Sequence, residues 1–97
     1  MKKWLAACAV VAEIEAAGGR AIAVQADISS EAEVVRLFQT VDAQLGRVTA
    51  LVNNAATLER QMRLDSMDAA RLQRLFATNA IGPILCARAA VRRMSTR

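Results

Sequence analysis

Two short apolar runs constrain this chain more than any other feature: Ala21-Ile22-Ala23-Val24-Gln25-Ala26 and Val48-Thr49-Ala50-Leu51-Val52. Each follows a glycine that stops a helical pattern. Each ends in polar residues, Asp27 in the first case and Asn53-Asn54 in the second. Apolar runs of this length between turn signals read as buried strands of a parallel sheet.

Helical patterns flank both runs. Residues 4–17 place Val10, Ile14 and Ala17 at helical spacing with Val11 beside them, and Gly18-Gly19 closes the pattern. Ser30 followed three residues later by Glu33 is a capping box, in which each side chain satisfies an orphan backbone donor of the helix start. Behind it, Val34, Leu37, Phe38, Val41 and Leu45 form one apolar face that runs to Gly46. A loop then leads to Ser66, the predicted N-cap of a long third helix ending near Met94. Leu72, Leu75, Phe76, Ala80, Ile84, Ala87 and Val91 mark its expected buried face, and Gly82-Pro83 predicts a kink. The order helix, strand, helix, strand, long helix predicts one α/β domain over residues 1–97. Its strands are expected to be parallel and its crossovers helical and right-handed.

The residues that are missing narrow the chemistry. There is no histidine and no tyrosine, and lysine occurs only at Lys2 and Lys3, so the usual general bases near neutral pH reduce to carboxylates. Metal sites built on histidine are excluded, and no metal site is expected. Cys8 and Cys86 are too far apart for a metal-ligand spacing and read as two small buried apolar residues in reduced surroundings. The formal net charge of +4 is uneven. Residues 1–58 carry five Lys/Arg against six Asp/Glu, and residues 59–97 carry eight Arg against three acids. The arginines fall on a helix surface with no aromatics between them. A solvated face is therefore expected rather than a nucleic-acid interface. Lys2-Lys3 before an apolar stretch, with Leu5-Ala6-Ala7-Cys8 inside it, imitates an export signal. The apolar region before Cys8 is too short for one, and no membrane span follows, so the expectation is a cytoplasmic chain.

Ligands of open parallel sheets sit at the carboxyl ends of the strands. Asp27 lies at one such end and can accept a hydrogen bond from a ligand amine; it can equally bond the backbone of the turn before Ser29-Ser30. Asn53-Asn54, with Ala55, lies at the other end, and the pair suits a ligand or plain turn duty. Asn79 falls inside the apolar stripe of the long helix. A buried amide there needs partners, either nearby backbone or a ligand site.

Three stretches together resemble the short-chain dehydrogenase/reductase family. Gly18 to Ser29 is similar to that family's third strand and its exit. Leu51-Val52-Asn53-Asn54-Ala55-Ala56 resembles the NNAG motif after the fourth strand. Thr78-Asn79-Ala80-Ile81-Gly82 resembles the helix motif that carries the asparagine of the catalytic tetrad. The resemblance holds in order and spacing from about Val10 to Arg97. It implies a partial Rossmann-like fold and a parent activity that transfers hydride between NAD or NADP and a carbonyl or alcohol. It also implies that Asp27 bonds the adenine amino group with the Ile28 backbone nearby, and that Asn53, Asn54 and Ala55 line the ribose side. Asn79 would orient a water in the proton relay, and the long helix would pack against a partner subunit. Ala56 stands where the motif has glycine.

The family's TGxxxGxG loop and its YxxxK segment are absent from the 97 residues, so the chain reads as an internal fragment, inactive alone and a weak binder of cofactor. In the family's 3-2-1-4 strand order the two strands present here are separated by two others, a gap of about 14 Å at ~4.8 Å per step. Two outcomes follow: the strands pair directly as a β-α-β unit, or chains associate as a homo-oligomer to fill the sheet. A self-associating, non-catalytic protein is the alternative function.

Overall fold

A computed structural model describes residues 2–55 and 62–94. Helix α1 spans Lys2–Ala16, α2 Glu31–Gln44, α3 Ala69–Phe76 and α4 Gly82–Met94. A 3₁₀ turn at Leu64–Ser66 precedes α3, and a π turn at Ala77–Ile81 joins α3 to α4.

No strand is formed among the described residues, so the expected helix–strand alternation is corrected. Residues 21–26 and 48–52 run without a ladder and do not pair with each other. The reason is physical. A strand exists through its neighbour's hydrogen bonds, and these two runs are held by side-chain packing instead. Ile28, Val48 and Leu51 press on a small core of Val34, Phe38, Cys86 and Ala90, contributed by α2 and α4. Arg20 Nη2 donates to the Gln44 carbonyl at 2.6 Å, and Arg36 Nη2 to the Gln25 carbonyl, fastening the first run to α2.

The start of α2 follows the capping pattern with one change. Ser30 Oγ accepts from the Glu33 amide at 3.4 Å, but the Glu33 carboxylate accepts from the Asp27 amide at 3.0 Å instead of reaching Ser30. Half of the box thus fixes the Asp27 turn. Gly46, at φ 92°, ends the helix in the left-handed region, and its N–H donates to the Val41 carbonyl. Gly18, at φ 90°, ends α1 the same way. Helix α1 touches none of the other described helices. Its expected face is rotated: Trp4, Ala7 and Val11 are half-buried, while Val10, Ile14 and Ala17 are exposed; Cys8, expected to be buried, is exposed as well.

The long helix departs from expectation in three ways. Asp68, not Ser66, is the N-cap; its Oδ1 accepts from the Arg71 amide at 2.8 Å, and a carboxylate there also complements the helix dipole. The expected kink at Gly82-Pro83 is met one turn earlier by the π turn, where the Gly82 N–H donates to the Ala77 carbonyl. Pro83 has no N–H for the Asn79 carbonyl four residues back, and its ring would crowd that carbonyl in a regular α-helix; a wider turn relieves both. Finally, the buried face is the small one: Cys86 and Ala90 pack on Val34 and Phe38 of α2, and Gly82 on Ile28. Of the expected stripe, Leu75, Ala80 and Ala87 are half-buried, while Leu72, Phe76, Ile84 and Val91 are exposed, Phe76 at 62% and Ile84 at 68%. Small side chains let backbones approach. A Cβ at Gly82 would stand 2.8 Å from Ile28 Cγ1 and 3.0 Å from the Ile28 carbonyl oxygen.

Arginine chemistry locks α4 to α2. Arg93 stacks over Phe38 at 5.1 Å, and its Nε donates to both Asp42 oxygens at 3.0 and 2.9 Å. Arg88 pairs with Glu31 at 2.9 Å. Arg47 covers the end of α4, donating from Nε to the Arg93 carbonyl at 2.8 Å and from Nη2 to the Met94 carbonyl at 3.1 Å. Arg88 and Arg93, from the basic second half, are thus spent on acids of the first. Among the described residues no helix is long and apolar enough to cross a membrane.

Candidate functional site

Asp27 leaves the first run at a tight turn. Its Oδ1 accepts from both the Ser29 amide at 3.0 Å and the Ser29 hydroxyl at 2.6 Å. The Ser29 hydroxyl first, and then its amide, hold the Asp27 carboxyl below the usual carboxylate range. Asp27 is an anion at neutral pH, as a carboxylate at its ordinary value would be, and the turn extends that range toward lower pH. With Oδ1 taken up by the turn, Oδ2 bonds to none of the described residues and can accept from an incoming N–H. The local role and the ligand role, alternatives in the sequence, are carried by different oxygens of one side chain.

Facing Asp27 and Ser29 is one face of α3 and the π turn. Ala70, Gln73, Arg74, Ala77 and Thr78 complete an open cavity of about 550 Å³. Ile28, between Asp27 and Ser29, packs on Gly82 at the start of α4. The Ile28 side chain belongs to that contact and to the core, so only its backbone is available to a ligand.

The other candidates lie elsewhere. Asn53 Nδ2 donates to the Pro83 carbonyl at 3.2 Å, tying the end of the second run to the first turn of α4. Asn54 and Ala55 are exposed and line no part of the Asp27 cavity. Ala56 lies outside the described residues. Asn79 sits in the π turn and is exposed, which corrects the expectation of a buried amide. It borders a second, smaller hollow of about 180 Å³ with Leu75, Phe76 and Ala80. The structure thus sets Asp27 across a cavity from Thr78, one residue from Asn79, but does not bring Asp27 and Asn79 into one site. The reading from sequence missed Ser29, Gln73, Arg74 and Thr78. The signal was there: Ala70, Gln73-Arg74 and Ala77-Thr78 recur at helical spacing as a small and polar stripe beside the apolar one.

The cavity lies beyond the carboxyl end of the first apolar run, where open α/β proteins hold their ligands. The chain belongs to the short chain dehydrogenase family, whose sequence profile matches residues 4–97. It is 43% identical over 84 residues to the uncharacterized oxidoreductase YgfF of Escherichia coli, covering 87% of this chain and 34% of that protein. It is 42% identical over 88 residues to a 3-oxoacyl-acyl-carrier-protein reductase of Synechocystis, again covering 87% of this chain and 34% of the relative. Among solved structures, a short chain dehydrogenase from Burkholderia cenocepacia in complex with NADP superposes with a TM-score of 0.83 at 35% identity, over 91% of this chain and 36% of that one. The chain therefore spans about a third of the length of the relatives it matches. It keeps their backbone arrangement even where its own runs lack a ladder.

Proposed function

We propose that this chain is part of an NAD- or NADP-dependent oxidoreductase and that it carries the adenosine end of the cofactor site. The observation that carries this is the Asp27 turn: an exposed carboxylate with its Oδ1 bonded to Ser29 and its Oδ2 free to accept from an amine, at a cavity large enough for a nucleoside. The residues present fit that half of the cofactor. Asp27 would take the adenine amino group, with the Ile28 backbone beside it and Ala70 and Ala77 offering a flat apolar wall. Outside that cavity, and by resemblance to the family alone, Asn53, Asn54 and Ala55 would border the ribose side and Asn79 would hold a water toward a proton relay. The bound dinucleotide would supply or accept the hydride exchanged with a carbonyl or alcohol.

These 97 residues contain no tyrosine and no glycine-rich phosphate loop, so we expect no turnover by this chain alone and cofactor affinity near the millimolar range. A titration with NADH and NADPH followed by backbone amide shifts tests the reading. Shifts at Asp27–Ser29 and at Ala70–Thr78, lost in Asp27→Asn, are expected. Shifts that ignore Asp27 would remove the site, and micromolar affinity would overturn the argument about the missing loop.

A second reading, self-association as a homo-oligomer, is favoured by the exposed Leu72, Phe76, Ile84 and Val91 and by the two runs without a ladder. Light scattering after size exclusion tests it; a folded monomer at micromolar concentration would sink it. The free, exposed Cys8 suits a reducing cytoplasm, where we place the protein.

A further inference from the structure

We propose that residues 48–52 form a docking surface for a second, different polypeptide, which lays an extended apolar segment along this run and pairs with its main chain in trans. Size is the first observation. The chain exposes 7485 Å² and has a radius of gyration of 15.9 Å. A folded monomer of 10.4 kDa exposes about 5,400 Å² and has a radius of about 13 Å. The excess of about 2,000 Å² is larger than the ~800 Å² that one partner gives to an ordinary stable interface. The bare surface is also apolar. Val52, last in the second run, is 85% exposed. Helix α1 carries no charge from Trp4 to Ala12 and touches none of the other described helices, yet Leu5 and Val10 are exposed; an uncharged helix belongs in an interior. The main chain names the kind of partner. Among the described residues, no N–H of 48–52 donates a hydrogen bond and none of its carbonyls accepts one. Another extended main chain matches such a row of donors and acceptors, at ~3.3 Å per residue. The chain spans about a third of the length of relatives whose backbone arrangement it keeps, so the surface their remaining length covers is bare here. A second copy fits less well. It brings the same two runs and the same uncovered α1, so a pair joined through one run leaves the other open on both copies.

The test uses the 97-residue chain and, as probes, the parts of the Escherichia coli relative that lie outside its 84 matched residues, each carried on a soluble fusion protein. At least one part is expected to form a one-to-one complex by light scattering. Magnetic resonance of the labelled chain is expected to show strand-type shifts and cross-strand contacts at 48–52 in that complex. Val52→Lys changes an exposed side chain, so the free chain should keep its helical spectrum, while the complex should weaken about ten-fold, as a lysine blocks a strand edge. Ala50→Pro removes an N–H that bonds to nothing in the free chain and should erase the cross-strand contacts. If no part binds, if binding leaves 48–52 without strand contacts, or if both variants bind like the wild type, the proposal is wrong. If strand contacts arise in the chain alone as its concentration rises, a second copy is the occupant and the proposal is overturned.

Discussion

Gly82 is where the fold can be pressed hardest with one methyl group. It is buried in the first turn of α4, with helical φ −55° and ψ −52°, so alanine suits its backbone and should gain about 1 kcal/mol in helix propensity. Against that, the new Cβ would stand 2.8 Å from Ile28 Cγ1 and Cδ1 and 3.0 Å from the Ile28 carbonyl oxygen. The side-chain atoms can turn away, but the carbonyl cannot without moving the Asp27–Ser29 turn. Overpacking of this kind costs about 1–3 kcal/mol. The clash should therefore win, with a net loss of about 1 kcal/mol for Gly82→Ala. At a urea slope of about 1 kcal/mol/M for a small chain, the midpoint falls by about 1 M. Far-UV circular dichroism is the right readout, because the single tryptophan, Trp4, lies in α1 and does not report on the α2–α4 contact. Ile28→Ala removes the two side-chain carbons and should recover part of the loss when combined with Gly82→Ala, giving a favourable coupling in the double-mutant cycle. A Gly82→Ala chain more stable than the wild type by the full propensity gain would refute the contact between the Ile28 turn and α4.

Other outcomes follow from the same geometry. Asp42→Asn should cost about 0.5–1 kcal/mol in urea unfolding and lose its effect in high salt, since it weakens a partly exposed ion pair with Arg93 but keeps the Arg93–Phe38 stack. Asp27 has a lower pKa folded than the ordinary 3.8, so its turn should add stability above that value and lose it as pH falls through the folded pKa; Asp27→Asn should flatten that part of the acid unfolding curve. The two thiols should separate under a disulfide reagent. Exposed Cys8 reacts at once, and Cys86, buried with its pKa raised by desolvation, reacts only with unfolding; two fast thiols would contradict the core.

The helices and their stops were legible because their causes are local. Ser30, Gly18 and Gly46 act within a turn of themselves, and Val34 and Phe38 lie on the face their spacing marks. The strands were not, because residues 21–26 and 48–52 carry strand composition but a ladder depends on a neighbour the pattern does not contain. The long helix misled through size. Spacing picked out Phe76, Ile84 and Val91 as the inner face, whereas close approach to α2 and to the Ile28 turn selects Cys86, Ala90 and Gly82. The site was half legible. Asp27 stands where the end of its run placed it, but Gln73 and Thr78 become visible only when α3 is laid across the turn. The exposure of Asn79 follows from a π turn that Pro83 explains only in retrospect.

The runs without ladders also set how the molecule breathes. Amide protons in α2 and α4 are closed by intrahelical bonds and backed by the shared core, so they should trade with deuterated solvent only when that pair opens. Along residues 21–26 and 48–52 no ladder closes the amides, and they should exchange far sooner. The chain is thus a slow-exchanging helical pair bearing two fast-exchanging arms, and both arms end at candidate ligand residues, Asp27 and Asn53. Anything that docks on those arms, whether nucleotide or polypeptide, would announce itself first as deuterium that fails to arrive.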